Sequence, residues 1–176
     1  MIAVDTNVIA YCFIATERTP MAQRVWLRDP DWHVPVLWRS ELRNVLAGYL
    51  WQGKLDLDQA SAVMAAAHDA LKGREHLVPD GAVLGLSAQA RLSAYDCEFV
   101  ALAQSLAVPL VTEDRGVLKA FPDRCLTMEA YLAGEAWAHE PGVRYQLKQA
   151  AKWLKDTPRS KTSVDALRRK GRKARK

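Results

Sequence analysis

The chain has 176 residues, 49% of them apolar and 26% charged, which is enough to bury one sizeable core, so one main domain is expected. Its longest wholly apolar run near the start, VIAYCFIA at residues 8–15, falls well short of the roughly 18 residues that cross a bilayer. That run follows Asp5 with no basic leader, which excludes a secretory signal of ordinary pattern and predicts a soluble, cytoplasmic protein without membrane contact. Cys12, Cys97 and Cys125 form no CxxC pair and cannot all pair with one another, as suits a reducing compartment. His33, His68, His76 and His139 lack the spacing of a zinc site.

The net charge of +5 conceals a division. Residues 141–176 hold 13 Lys/Arg against 2 Asp, while residues 1–140 hold 12 against 18 Asp/Glu, so a body of −6 is joined to a tail of +11. An acidic body suggests a cation site, and a basic arm favours a polyanion.

MIAVDTNVI opens with a short apolar run ending at Asp5 that fits a buried strand, and residues 20–27 offer a modest helix. HVPVL at 33–37 reads as a second strand, feeding WRSELRNVLAGYLWQ, where Leu42, Val45, Leu46 and Tyr49 recur at helical spacing before Gly53. A further helix is expected over 57–72, with Ala60, Val63, Met64, Ala67 and Leu71 as its stripe and Gly73 at its stop, so that 39–72 forms a helical hairpin. HLVP at 76–79 is a strand candidate, a helix over 81–91 follows, and SAYDCEFVALA at 93–103 reads as a helix burying Tyr95, Phe99, Leu102 and Ala103. VPLVTED at 108–114 is the clearest later strand, RGVLKAF a short helix, RCLTM at 124–128 a last strand before EAYLAG. Alternating strands and helices predict an α/β domain with a mainly parallel sheet over residues 1–133. Residues 134–176 form a basic extension, in which 143–155 fits an amphipathic helix and the remainder is polar.

Four acids fall at the joints of this pattern, and each has an ordinary explanation. Asp5 can cap the turn after its strand, and Glu41 lies in a first helical turn where the macrodipole favours a carboxylate. Ser93 and Asp96 stand in a capping-box arrangement, and Asp114 can cap the helix beginning at Arg115. Together they are harder to dismiss, because strand-to-helix turns of a parallel sheet line its carboxyl edge, where ligands bind at a switch in strand order. Uncompensated carboxylates would repel one another there, and a divalent cation resolves the conflict. Hard oxygen donors suit Mg²⁺ or Mn²⁺, and the chemistry such a site supports is hydrolysis of a phosphodiester. Thr6, Asn7 and Thr112 flank the acids and are candidates to hydrogen-bond a carboxylate or a water, although Asn in a turn and Thr in a strand need no such role.

VDTNVI, the helix start bearing Glu41, SAYDCEFVALA and PLVTEDRGVL resemble, in order and spacing over about residues 1–130, the PIN-domain ribonuclease family, especially the VapC-type toxins of toxin–antitoxin pairs. The resemblance implies an α/β/α sandwich around a central parallel sheet, a Mg²⁺ or Mn²⁺ site and endonucleolytic cleavage of RNA. Carried over by position, it makes Asp5, Glu41 and Asp96 the acidic set, with Asp114 in a less uniform fourth place. Gly116 stands where some members have a further acid, and Glu113 would point away on an extended strand. The resemblance also implies a homodimer and a small antitoxin that wraps the hairpin at 39–72 and reaches the acidic groove. The tail, with Arg168, Arg169, Lys170, Arg172, Lys173, Arg175 and Lys176, lies beyond the resemblance; it is either an RNA-binding arm or a solvating extension. Two alternatives remain: an aspartyl phosphotransferase using Asp5, disfavoured by Asn7 where a second Asp is expected, and a non-catalytic nucleic-acid-binding protein using the basic tail.

Overall fold

A computed structural model of the chain describes residues 1–134. The expected helix at 143–155 and the basic cluster from Arg168 to Lys176 lie outside the described residues. β1 (Ile2–Val4) leads directly into α1 (Thr6–Phe13), followed by α2 (Thr19–Arg28), β2 (Trp32–Pro35), α3 (Trp38–Trp51) and α4 (Leu57–Leu71). β3 (Glu75–His76), α5 (Asp80–Ala90), α6 (Ala94–Ser105), β4 (Leu110–Val111), α7 (Arg115–Ala120), β5 (Cys125–Leu126) and α8 (Met128–Ala133) complete the domain.

The strands form one sheet in the order β3-β2-β1-β4-β5, every pairing parallel. Parallel strands covered on both faces must be apolar throughout, and β1, β4 and β5 are buried along their whole length. α6 packs across β1, β2 and β4, with α5 against it, while α1 packs on α2, α3 and α4, giving the α/β/α sandwich. The connections leaving β1 step outward through β2 to β3, and the chain then returns to β4 on the other side of β1. The switch in strand order therefore lies between β1 and β4, and a crevice outside their carboxyl ends is where such a sheet receives a ligand.

The two long helices pair as a hairpin, as the stripes predict. Gly53, at φ 64°, takes the left-handed position after α3. Its N–H bonds Leu50 and that of Lys54 bonds Tyr49, the paired bonds of a Schellman stop. Asp56 then starts α4 with a reciprocal capping box to Gln59. Leu42 and Leu46 from one helix and Ala60, Ala67 and Leu71 from the other are buried, whereas Val45, Tyr49, Val63 and Met64 pack at its margin.

One helix was not expected from the sequence and one expectation needs correction. The first six residues of VIAYCFIA form most of α1, whose Val8, Ile9, Cys12 and Phe13 are all buried. A helix apolar on most sides shows no alternation of polar residues and so no helical period. Tyr95 does not join the buried face of α6; it is 64% exposed, while Cys97, Phe99, Val100, Leu102 and Ala103 supply the core contacts. It stands in the first turn of α6, two residues after the Ser93 cap.

Leu71 is wholly buried at the end of α4. Leu71→Ala should lower the free energy of unfolding by about 2–5 kcal/mol, read by urea denaturation, because the cavity and the forfeited transfer energy add.

Candidate metal-binding active site

Asp5 ends β1 and caps α1. Its Oδ1 accepts the N–H of Asn7 at 3.4 Å, and its Oδ2 accepts Asn7 Nδ2 at 2.8 Å together with the hydroxyl of Thr112. Thr112, fully buried just beyond β4, also accepts Asn7 Nδ2 at 3.3 Å and the N–H of Asp114 at 3.0 Å. Asn7 completes the loop by accepting the N–H of Glu113 at 3.2 Å. Asp5, Asn7 and Thr112 thus stitch the carboxyl ends of β1 and β4 together at the switch point.

Glu41 enters from the first turn of α3, after β2, and its Oε2 takes the hydroxyl of the buried Thr6 at 2.5 Å. Because Thr6 follows Asp5 in sequence, this bond brings Glu41 beside the Asp5 turn. Burial pushes the Asp5 carboxyl above its ordinary range; the Thr112 and Asn7 bonds oppose this, and repulsion from Asp114 and Asp96 adds to it. Glu41 is pushed to about 6, chiefly by burial and further by Asp5, Asp96 and Glu98, against the pull of Thr6. The ion pairs seen among the described residues engage Asp29, Asp31, Glu75 and Glu113 instead.

Asp96 and Asp114 face the same field but are occupied locally. Ser93 Oγ accepts the N–H of Asp96 at 3.1 Å and donates to its Oδ2 at 2.6 Å. This is half of the expected capping box: Ser93 caps the helix, but the carboxylate bonds the serine hydroxyl rather than a backbone amide. Asp114 Oδ1 caps α7 through the N–H of Val117 at 2.9 Å. In these rotamers no group of three or more His, Cys, Asp or Glu side chains among the described residues stands close enough to enclose an ion.

Glu113 points away from this edge. Its carboxylate bonds Arg18 at 2.5 Å and the N–H of Met128 at 2.9 Å, tying the strand exit to the starts of α2 and α8. Glu98 escaped sequence reasoning: two residues beyond Asp96 it should face elsewhere on a helix, yet its charge acts on Glu41. Burial and Asp80 raise its own pKa.

The donor set fits a hard divalent cation. Two half-buried carboxylates held above their ordinary range, repelled by further acids and paired among the described residues with hydroxyl and amide donors, carry negative charge that such an ion would neutralise.

A family model described as the PIN domain matches residues 2–122. The chain belongs to the PIN-domain family. This PIN domain is 27% identical over 124 residues to Ribonuclease VapC3 of Pyrobaculum aerophilum, an alignment covering 69% of the chain and 95% of that protein. Its fold is similar to the crystal structure of FitAcB from Neisseria gonorrhoeae, with a TM-score of 0.54 and 20% identity over 73% of this chain and 99% of that one. It is similar also to a structure of FitAB bound to an IR36 DNA fragment, with a TM-score of 0.54 and 19% identity over 80% and 98% of the two chains.

Glu41 binds its proton more tightly in the folded PIN domain than in the unfolded chain, where it titrates near 4.5. Metal-free stability should therefore be highest, as far as Glu41 contributes, below about 4.5, and should fall as pH rises through about 6. Glu41→Gln should remove that slope. At pH 7 in EDTA it should gain on the order of 1 kcal/mol over wild type in urea denaturation, the full shift being discounted for the solvent screening of a half-exposed group. Near pH 4 the two proteins should be alike.

Proposed function

We propose that the protein is a metal-dependent endoribonuclease, the toxin of a type II toxin–antitoxin pair. The observation that carries this is the meeting of Asp5 and Glu41 at the β1–β4 switch point, both with raised affinity for protons and both held, among the described residues, by hydroxyl and amide donors. Similarity to Ribonuclease VapC3 supports the choice of RNA as substrate.

Asp5, Glu41, Asp96 and Asp114 would hold Mg²⁺ or Mn²⁺. A bound ion of this kind lowers the pKa of a water and neutralises charge growing on the phosphate. The chain's own part is orientation. Thr112 and Asn7 fix one oxygen of Asp5, and Thr6 fixes one oxygen of Glu41, so the donors keep their direction while the charges repel. Asp96 and Asp114 each have one oxygen engaged in a local bond, and among the described residues no hydrogen bond is seen on the other, so each would turn one oxygen to a ligand. Burial of Asp5 and Glu41 sharpens their electrostatic effect on whatever binds beside them.

The functional unit in this account spans residues 1–133, with residues 134–176 as the basic extension. A small antitoxin would cover the α3–α4 hairpin and the acidic edge, and the toxin would pair with a second copy. A cytoplasmic location goes with this role; no helix among the described residues is long and apolar enough to cross a membrane.

Purified protein supplied with Mg²⁺ or Mn²⁺ should cut single-stranded RNA. Asp5→Asn and Asp96→Asn should each slow the cut by at least about a hundredfold while retaining the wild-type circular dichroism spectrum. Cleavage at the wild-type rate in both variants would sink the assignment.

The basic tail is assigned to the RNA backbone. Truncation after Pro141 removes 13 Lys/Arg, and every RNA phosphate that the shortened chain leaves unneutralised should make the slope of log K against log salt shallower by about 0.7. If truncation abolishes RNA binding and the full chain never cuts, the protein is a non-catalytic binder.

A further inference from the structure

Arg91 closes α5 in the left-handed region, at φ 55° and ψ 37°. Its N–H bonds the carbonyl of Ser87 at 2.9 Å, and Ser87 Oγ donates to the carbonyl of Leu92 at 2.7 Å, so the turn is held from both sides. Glycine is the default at such a helix stop, because the Cβ of any other residue crowds the backbone. Within the domain the arginine side chain does nothing to offset that strain. Arg91 is exposed, and among the described residues its guanidinium makes no hydrogen bond or ion pair. Ala107, at φ 53°, is the other non-glycine residue at positive φ among the described residues, and it lies before β4, at the amino edge of the sheet.

The Arg91 turn lies at the opposite edge. It runs through Leu92 into Ser93, the cap that holds Asp96. Leu92 Cδ2 is 3.5 Å from the point a Cβ on Gly116 would occupy, and Asp114 Oδ1 is 3.1 Å from the same point. A strained, unengaged cation therefore borders the stretch that joins two of the four acids. Just beyond it, Tyr95 is an exposed aromatic on the first turn of α6. An RNA backbone approaching this edge brings one negative charge per nucleotide toward Asp5, Glu41, Asp96 and Asp114, and those acids repel it. A cation outside the acids, paired with none of them, supplies the missing attraction. Local strain kept where the fold gains nothing is characteristic of binding positions.

We propose that Arg91 is a substrate-binding residue that holds an RNA phosphate beside the scissile one, on a lip where Tyr95 offers a ring for base stacking. The inference rests on the ribonuclease assignment and deepens it.

The test uses the full chain as wild type, Arg91→Gly, Arg91→Lys and Ala107→Gly. Three quantities are measured: thermal midpoint, affinity for a fluorescein-labelled single-stranded RNA over a range of KCl without Mg²⁺ or Mn²⁺, and kcat and KM for its cleavage with Mn²⁺. Arg91→Gly and Ala107→Gly should both raise the midpoint, since each relieves left-handed strain. Arg91→Gly alone should weaken RNA binding roughly tenfold, as expected for removal of one charged hydrogen bond. It should lower the salt slope by about 0.7 and raise KM with kcat nearly unchanged. Arg91→Lys should retain most of the affinity. Arg91→Gly with wild-type affinity, slope and KM, in a protein whose wild type binds and cuts RNA, overturns the role of Arg91 and leaves the ribonuclease assignment standing. A wild type that neither binds nor cuts RNA removes that assignment and this inference with it.

Discussion

The hydroxyl of Thr112 is the point on which the acidic edge depends. Buried completely, it donates to Asp5 and accepts from Asn7 and from the backbone amide of Asp114, so its one proton and both lone pairs are in use. One oxygen atom thereby joins the end of β1, the first turn of α1 and the start of α7. The neighbouring amide of Glu113 is taken by the same Asn7, which leaves the Glu113 side chain to reach outward to Arg18 and Met128. The backbone at Glu113 and Asp114 is fixed by this junction.

That junction also decides how a carboxylate can sit inside the sheet's edge. Burial and the neighbouring acids push Asp5 toward its neutral form, and the Thr112 and Asn7 bonds favour the charged form. The bonds do not win, and the pKa stays raised. Glu41 shows the same contest with Thr6 as its donor. A fold selected only for stability would place neutral groups at both positions. Asp96 and Asp114 add to the repulsion on Asp5 while engaging their own helix starts, through Ser93 and Val117.

Much of this was legible from the chain because secondary-structure boundaries have local causes. Glycine at 53 and 73 marked the helix stops that positive φ then required, and the stripes of α3 and α4 predicted which residues would be buried. Asp5, Glu41, Asp96 and Asp114 could be picked out because strand-to-helix joints of a parallel sheet share one edge. α1 was hidden, since a helix buried on most sides loses its period. So were contacts that parallel pairing makes between residues far apart in sequence: Arg39 and Trp38 on Glu75, and His33 on His76 at 2.7 Å. Which way Asp96 turned was equally out of reach, because a rotamer depends on neighbours that the sequence alone does not bring together. The PIN-family likeness supplied the order of the acids and said nothing of their present bonds.

Gly116 bears on why the acids stop at Asp114. A Cβ there would lie 3.1 Å from Asp114 Oδ1, closer than ordinary contact, and 3.5 Å from Leu92 on the other side. Leu92 is held by the Ser87 bond to its carbonyl and by the Ser93 cap that follows, so the carboxylate has to move first. Oδ1 is the atom that caps Val117, and displacing it would free the first turn of α7. A longer acidic side chain at 116 would add charge beside Asp114 while loosening the helix start that directs it. With glycine at 116, Asp114 keeps Oδ1 on the N–H of Val117. An acidic side chain at 116 is therefore opposed by the Asp114 carboxylate, through crowding as well as through repulsion between the charges.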